Sequence, residues 1–391
     1  MQIIKWLHLW LGLFSGGIVF IVCLTGGIWV LRDEVAFFTE PFHWLNNTDV
    51  SYKNPTTLHE SATRYLDSIE SPNNYKLHSL TYRETGKSSY IDYSDTLNAI
   101  YVGYLHMDPH TGKILYNYVF QESATHRFFE FIRSGHRFLW LPRQIGSPIV
   151  GAGCLVFLIV MVTGIFWWYP RKWTKSTRAK SFRIMWSASW KRVNIDLHNV
   201  LGFYAFIFAF VLTYTGIYYS FQWYREMHHS FVGESRTPIW NELSVNEFSV
   251  AKKRMEPPVD MIWETILNDV QIGKSEITLS FLYDSTTPIQ FTINPYPGTY
   301  YGIYSRYFDP GTLTELSSKG FSVRNGTLPF EKLTAGQKII RLNSDLHVGT
   351  IGGLSTKIIA CITCLICASL PVTGFIIWYN RKWGKKKRCK K

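Results

Sequence analysis

The chain has 391 residues, 46% hydrophobic and 16% aromatic, and its 41 Lys and Arg against 28 Asp and Glu give a formal net charge of +13. The cations are concentrated, eight in 171–192 and eight in 381–391, with Lys5 at the start. Because these clusters flank long apolar runs, the basic excess reads as a membrane-topology signal and not as a nucleic-acid-binding surface.

In chain order, apolar runs long enough to cross about 30 Å of hydrocarbon occur at 8–31, 145–169, 198–220 and 354–379. They predict a membrane α-helical bundle of four transmembrane helices. The first run is too long for a cleaved leader and ends GGIWVLRDEV with no small-x-small site, so it is expected to be retained. The positive-inside rule places the basic clusters and both ends of the chain in the cytoplasm. The expected organisation is a first transmembrane helix over 1–35, an α+β domain over 50–121, and an outer helix with the second transmembrane helix over 122–173. A basic cytoplasmic loop at 174–195 leads to the third transmembrane helix at 196–225. A second α+β domain at 255–320, the fourth transmembrane helix at 335–383 and a basic tail at 384–391 complete it.

The two halves repeat. Thr25-Gly26 follows His8 by 17 residues, and Thr215-Gly216 follows His198 by the same 17. Thr163-Gly164 follows His136 by 27 residues, and Thr373-Gly374 follows His347 by 26. The helix ends VTGIFWWYPRKW and VTGFIIWYNRKW return as well. These landmarks predict an internal duplication, roughly 1–173 and 190–383. The polar segments between them alternate in the manner of strands after a helical pattern, and close on DPHTGKIL and DPGTLTEL, which predicts one small α+β module per half.

Four of the twelve histidines take equivalent places. His8 and His198 open the first and third runs; His136 and His347 precede the second and fourth. An ionisable group near a transmembrane bundle is costly and marks a site, and two imidazoles from related halves can ligate one metal from opposite sides. Neutral imidazole is the usual axial ligand of haem iron. Gly12 and Gly202, four residues after the inner histidines, leave the same helix face bare for a flat macrocycle, although Gly12-x-x-x-Gly16 also suits helix packing. There is no Cys-x-x-Cys-His for covalent attachment and no Gly-x-Gly-x-x-Gly for a Rossmann-type nucleotide site. On straight helices His136 and His347 would lie about 15 Å beyond the outer boundary. A break is therefore expected, at Pro142 and Pro148 in one half and at Gly349, Gly352 and Gly353 in the other. His126 is a rival outer ligand, His228 and His229 are expected in an exposed loop, and Lys357, Arg137 and Arg341 are candidate partners for carboxylates of a cofactor or substrate. Cys361, Cys364 and Cys367, at i, i+3 and i+6, are expected to pack a helix face. Trp167 and Trp168 are expected to belong to an aromatic belt.

The segments WLHLWLGLFSG, DLHNVLGFY, FFEFIRSGHRFLWLP, DLHVGTIGGLSTK and the two VTG helix ends resemble the PepSY-associated transmembrane helix family, and MDPHTGKIL resembles the end of a PepSY domain. The resemblance covers nearly the whole chain. It implies a bacterial inner-membrane protein with two periplasmic PepSY-like domains and two b-type haems ligated by His8, His198, His136 and His347. It also implies a reductase of ferric siderophores, served by an electron donor of unknown identity. The stretch RFLWLPRQIGS after His136 departs from the family's pattern, which leaves the outer ligand less defined than the inner one. The rival readings are a haem-free PepSY scaffold that binds peptide or restrains a periplasmic partner, and a cytochrome b-type carrier that serves a protein.

Overall fold

The computed structural model describes residues 2–45, 51–69, 75–96, 100–170, 172–232, 257–281, 288–316 and 326–383. The basic tail expected at 384–391 lies outside them. The helices are α1 (Gln2–Trp29), α2 (Arg32–Thr39), α3 (Pro55–Ile69), α4 (Ala124–Phe138), α5 (Arg143–Trp168), α6 (Lys175–Phe182), α7 (Trp190–Asp196), α8 (Gly202–Ser220), α9 (Gln222–Phe231), α10 (Pro258–Asp269), α11 (Ala335–Val348) and α12 (Leu354–Lys382). The strands are β1 (Tyr75–Tyr82), β2 (Ser89–Asp95), β3 (Ile100–Met107), β4 (Ile114–Val119), β5 (Glu276–Ser280), β6 (Ile289–Asn294), β7 (Tyr304–Phe308) and β8 (Glu315–Leu316).

The chain divides into two compact units. One comprises residues up to Asp33, Phe128–Met227 and those from Leu346 onward; the other comprises Glu34–Arg127 and His228–Asp345.

The first unit is helical. Among the described residues, four helical stretches are long and apolar enough to cross a membrane: Gln2–Trp29, Arg143–Trp168, Trp190–Ser220 and Leu354–Lys382. In the third, α7 continues into α8 through a π-helical turn at Leu197–Leu201, which contains His198. Such wide turns concentrate at functional positions. Helices α1, α5, α8 and α12 pack in a ring, α1 against α5 and α12, and α8 against the same two. Close approach between α1 and α12 depends on small residues: a Cβ on Gly16 would stand 3.2 Å from Pro371, and one on Gly27 would stand 3.1 Å from Cys364. Cys367 is buried with Val19, Phe157, Met161 and Ala209. Cys364 and Cys367 therefore do the packing expected of them.

The breaks expected before the second and fourth spans are present. Between α4 and α5 the chain turns at Leu139 and Trp140, both left-handed at φ 54° and 58°. Pro142 precedes α5, while Pro148 lies inside it, so two strained non-glycine residues, and not Pro148, carry this reversal. Gly349 and Gly353, at φ 79° and 64°, frame the 3-10 turn Thr350–Gly352 between α11 and α12.

The second unit contains one eight-stranded antiparallel sheet in the order β4-β3-β2-β1-β5-β6-β7-β8. One small α+β module per half was expected; the two four-strand meanders join edge to edge in a single sheet. Strand β1 pairs β5 antiparallel, Ser79 opposite Ser280 through to Tyr82 opposite Ile277, so neither inner edge is left unpaired. The alternation of β1, β2, β5 and β6 turns Leu80, Tyr82, Ile91, Ile277, Leu279, Phe291 and Ile293 into one core with Leu58, Ala62 and Leu66 of α3 and Ile262, Trp263 and Ile266 of α10. The side-chain carbonyl of Asn54 accepts from the Thr57 amide at the start of α3, and Pro258 occupies the first turn of α10.

Candidate functional site

Both predicted histidine pairs form. The ring centroids of His8 and His198 are 6.3 Å apart, and those of His136 and His347 are 6.0 Å apart. A first-row metal–imidazole bond of about 2 Å on each side places the centroids of two trans imidazoles about 6 Å apart. Each pair joins one residue from each half of the sequence, and all four residues are half-buried.

What holds the rings is the Thr-Gly dipeptide, which in sequence serves only as a landmark of repetition. The Nδ1 of His8 lies 3.0 Å from the Val160 carbonyl and 3.3 Å from Thr163 Oγ1. That of His136 lies 2.8 Å from the Val22 carbonyl. His347 meets the Leu212 carbonyl at 2.9 Å and Thr215 Oγ1 at 3.2 Å, and His198 meets Thr373 Oγ1 at 2.9 Å. Val160, Val22 and Leu212 each stand three residues before the Thr of a Thr-Gly pair. A backbone carbonyl only accepts, so in His8, His136 and His347 the proton resides on Nδ1. Thr373 spends its own hydroxyl proton on the Ser369 and Leu370 carbonyls, so it accepts from His198 in the same sense. Fixing the proton on Nδ1 makes Nε2 the lone-pair donor, the second-shell device that orients metal-ligating histidines.

The glycine of each dipeptide is required by proximity. A Cβ would stand 2.8 Å from His136 Cε1 at Gly26, 2.8 Å from His347 at Gly216, 3.0 Å from His8 at Gly164 and 3.2 Å from His198 at Gly374. The seats are exchanged between helices: α1 seats His136 and α5 seats His8, while α8 seats His347 and α12 seats His198.

Beside the first pair is a cavity of about 540 Å³, within the 300–1,000 Å³ range of cofactor sites. Both histidines, Gly12, Gly202, Phe206 and Leu370 are among the residues that line it. A Cβ at Gly12 or Gly202 would meet protein only at ordinary contact distance, 3.8 Å from Val160 and 3.7 Å from Leu370. What it would occupy is the cavity. Gly16 lines the same cavity and also packs against Pro371, so both readings of Gly12-x-x-x-Gly16 meet at that residue. This is a surface that suits a flat group bound between two imidazoles.

Several candidates take other roles. Lys357 is buried and paired with Asp33 at 2.9 Å. Arg341, 2% exposed, donates to the carbonyls of Ile303 and Leu328. Arg381 and Lys382, which the sequence offered only as topology signals, line the cavity instead. Trp167 also lines it, 5.4 Å from His8, with Lys5 and Arg381 each within 6 Å of its ring. Trp168 stacks on Phe203 at 4.0 Å and donates to the Ser181 carbonyl, so both tryptophans border a site as well as a membrane end. His126 stacks on Phe120. His228 and His229 are 4% and 2% exposed and not in an exposed loop, because α9 extends to Phe231.

The family model described as PepSY-associated TM region matches residues 5–381. No curated protein matches the chain.

Proposed function

The chain belongs to the family of the PepSY-associated TM region and is a membrane protein; on that premise we propose that it is an inner-membrane di-haem b reductase that delivers electrons across the membrane to a periplasmic ferric siderophore. The observation that carries this reading is the two-fold occurrence of paired imidazoles about 6 Å apart with Nδ1 tethered. Haem bound there supplies one-electron chemistry. The protein's own residues supply the rest: His8 with His198, and His136 with His347, offer Nε2 lone pairs, the carbonyls and threonines hold the rings, and Gly12 and Gly202 leave a bare wall. Arg381 and Lys382 at the cavity supply positive charge for the carboxylates of such a group. Reduction suits iron release because oxygen-donor chelators favour the harder ferric ion.

The same reading takes the chain as a duplication, with the two halves of the sheet as PepSY-like modules on the periplasmic side and the basic segments in the cytoplasm, in keeping with the positive-inside rule. Absorption spectroscopy and haem stoichiometry of protein purified from haem-replete cells test it. Two haems per chain and a Soret band are expected. Haem-free protein would sink the redox reading and favour a PepSY scaffold. Reduction of a ferric siderophore by reconstituted, pre-reduced protein, compared with reduction of a partner cytochrome, separates a reductase from an electron carrier.

A further inference from the structure

Each histidine pair joins one residue from each half of the chain, yet the rings of the two pairs are set differently. The imidazole planes of His8 and His198 cross at 88°, whereas those of His136 and His347 are inclined by only 38°. Each ring has little freedom to turn. Its Nδ1 is bonded to the seat, and the seat glycine faces its Cε1 across a gap that would not admit a methyl group without displacement. Neighbouring rings add side walls: Trp167 stands edge-on to His8 at 89°, and Tyr219 is 5.5 Å from His347 at 46°.

We propose that the Thr-Gly seats, with Trp167 and Tyr219 as walls, set the ring planes so that the two pairs form electronically different ligand sites, one crossed and one closer to parallel. The proposal rests on the haem reading above and concerns what this chain's residues impose on the bound group. An axial imidazole donates π density only through the orbital perpendicular to its ring. Two rings near parallel feed the same iron d orbital and split it from its partner. Two crossed rings feed one orbital each and leave the two nearly equal in energy. In the low-spin ferric state, near-equality gives a strongly anisotropic paramagnetic resonance signal at low field, and splitting gives an ordinary rhombic signal. Gly164, Gly374, Gly26 and Gly216 are thus positioning residues: they touch the ligands and act through them.

Low-temperature paramagnetic resonance of the oxidised, haem-loaded, full-length protein is the test. Two signals of equal intensity are expected, one strongly anisotropic and one rhombic. Gly374→Ala, which presses a methyl on His198, shifts only the anisotropic signal, and Gly216→Ala, which presses on His347, shifts only the rhombic one. Should Gly374→Ala fail to fold, Thr373→Val keeps the shape and removes the hydroxyl acceptor of His198; the same signal then moves. One signal type of double intensity, or a Gly374 variant that moves the rhombic signal, overturns the inference and leaves haem binding standing. A protein without any Soret band removes the functional reading and this inference with it.

Discussion

His106 in the sheet unit and His198 in the bundle are both histidines tethered through Nδ1, and their surroundings differ in kind. His106 is 1% exposed, bonds Ser88 Oγ through Nδ1 at 3.0 Å, and is ringed by Phe42, His43 and Tyr90. Its Nε2 is buried without a hydrogen-bond partner among the described residues, and the ring is packed against aromatic neighbours. His198 is tethered through the same nitrogen, but beside it are a cavity and a second imidazole similarly held. A tether through Nδ1 and a neighbouring imidazole describe both; the cavity beside His8 and His198 is what makes that pair the candidate ligand site.

The largest effect that would break this comparison is on cofactor content. On the proposed di-haem reading, His198→Ala should remove one of two haems while His106→Ala removes none, measured as pyridine haemochrome per chain. Loss of haem from the His106 variant would erase the distinction. Next is the separate stability of the sheet unit. Trp263, 1% exposed and stacked on Tyr82 at 4.4 Å, lies at the centre of its core. Trp263→Ala should cost about 3–5 kcal/mol in urea unfolding followed by sheet circular dichroism, with the haem spectrum of the bundle unchanged.

A smaller effect sharpens the contrast through pH. Burial, then the nearby His43 and Arg83, lower the pKa of His106 to about 2. The unfolded ring binds a proton near pH 6.5 and the folded ring does not, so the stability this site contributes is complete above that value and declines as pH falls. The expected slope is about 1.4 kcal/mol per pH unit below roughly pH 6.5, seen as a steeper fall in unfolding midpoint for the wild type than for His106→Gln. Equal slopes would mean that His106 is protonated in the folded state. The smallest effect is at the junction of the two meanders, where Thr81 and Thr278 hydroxyls meet at 2.9 Å. Thr81→Val should cost about 1 kcal/mol in the same unfolding measurement and leave the order of strands intact.

The proximity of four histidines in two pairs was legible from spacing. His8, His198, His136 and His347 stand at repeated positions, and the structure pairs them as that repetition implied. Gly12 and Gly202 were placed by the i+4 rule and do border the cavity. The seats were not legible, although Thr25-Gly26, Thr163-Gly164, Thr215-Gly216 and Thr373-Gly374 were all visible. Each dipeptide was counted from a histidine earlier in the chain, whereas contact is made across helices: α1 supports His136, and α5 supports His8. Arg381 and Lys382 were hidden for another reason. A cation at a helix end serves topology and ligand alike, and composition does not separate the two.

The sequence by itself determined the four apolar spans, the need for a break before the second and fourth, the glycines of the latter, and the strand alternation, because hydrophobic period, span length and glycine punctuation are local properties. Tertiary structure alone decided that β1 would pair with β5 to make one sheet, that Leu139 and Trp140 would take the strained turn, and that one histidine pair would cross while the other inclines. Those outcomes depend on which surfaces meet, and segments some 200 residues apart in the chain meet only once the helices and strands have packed.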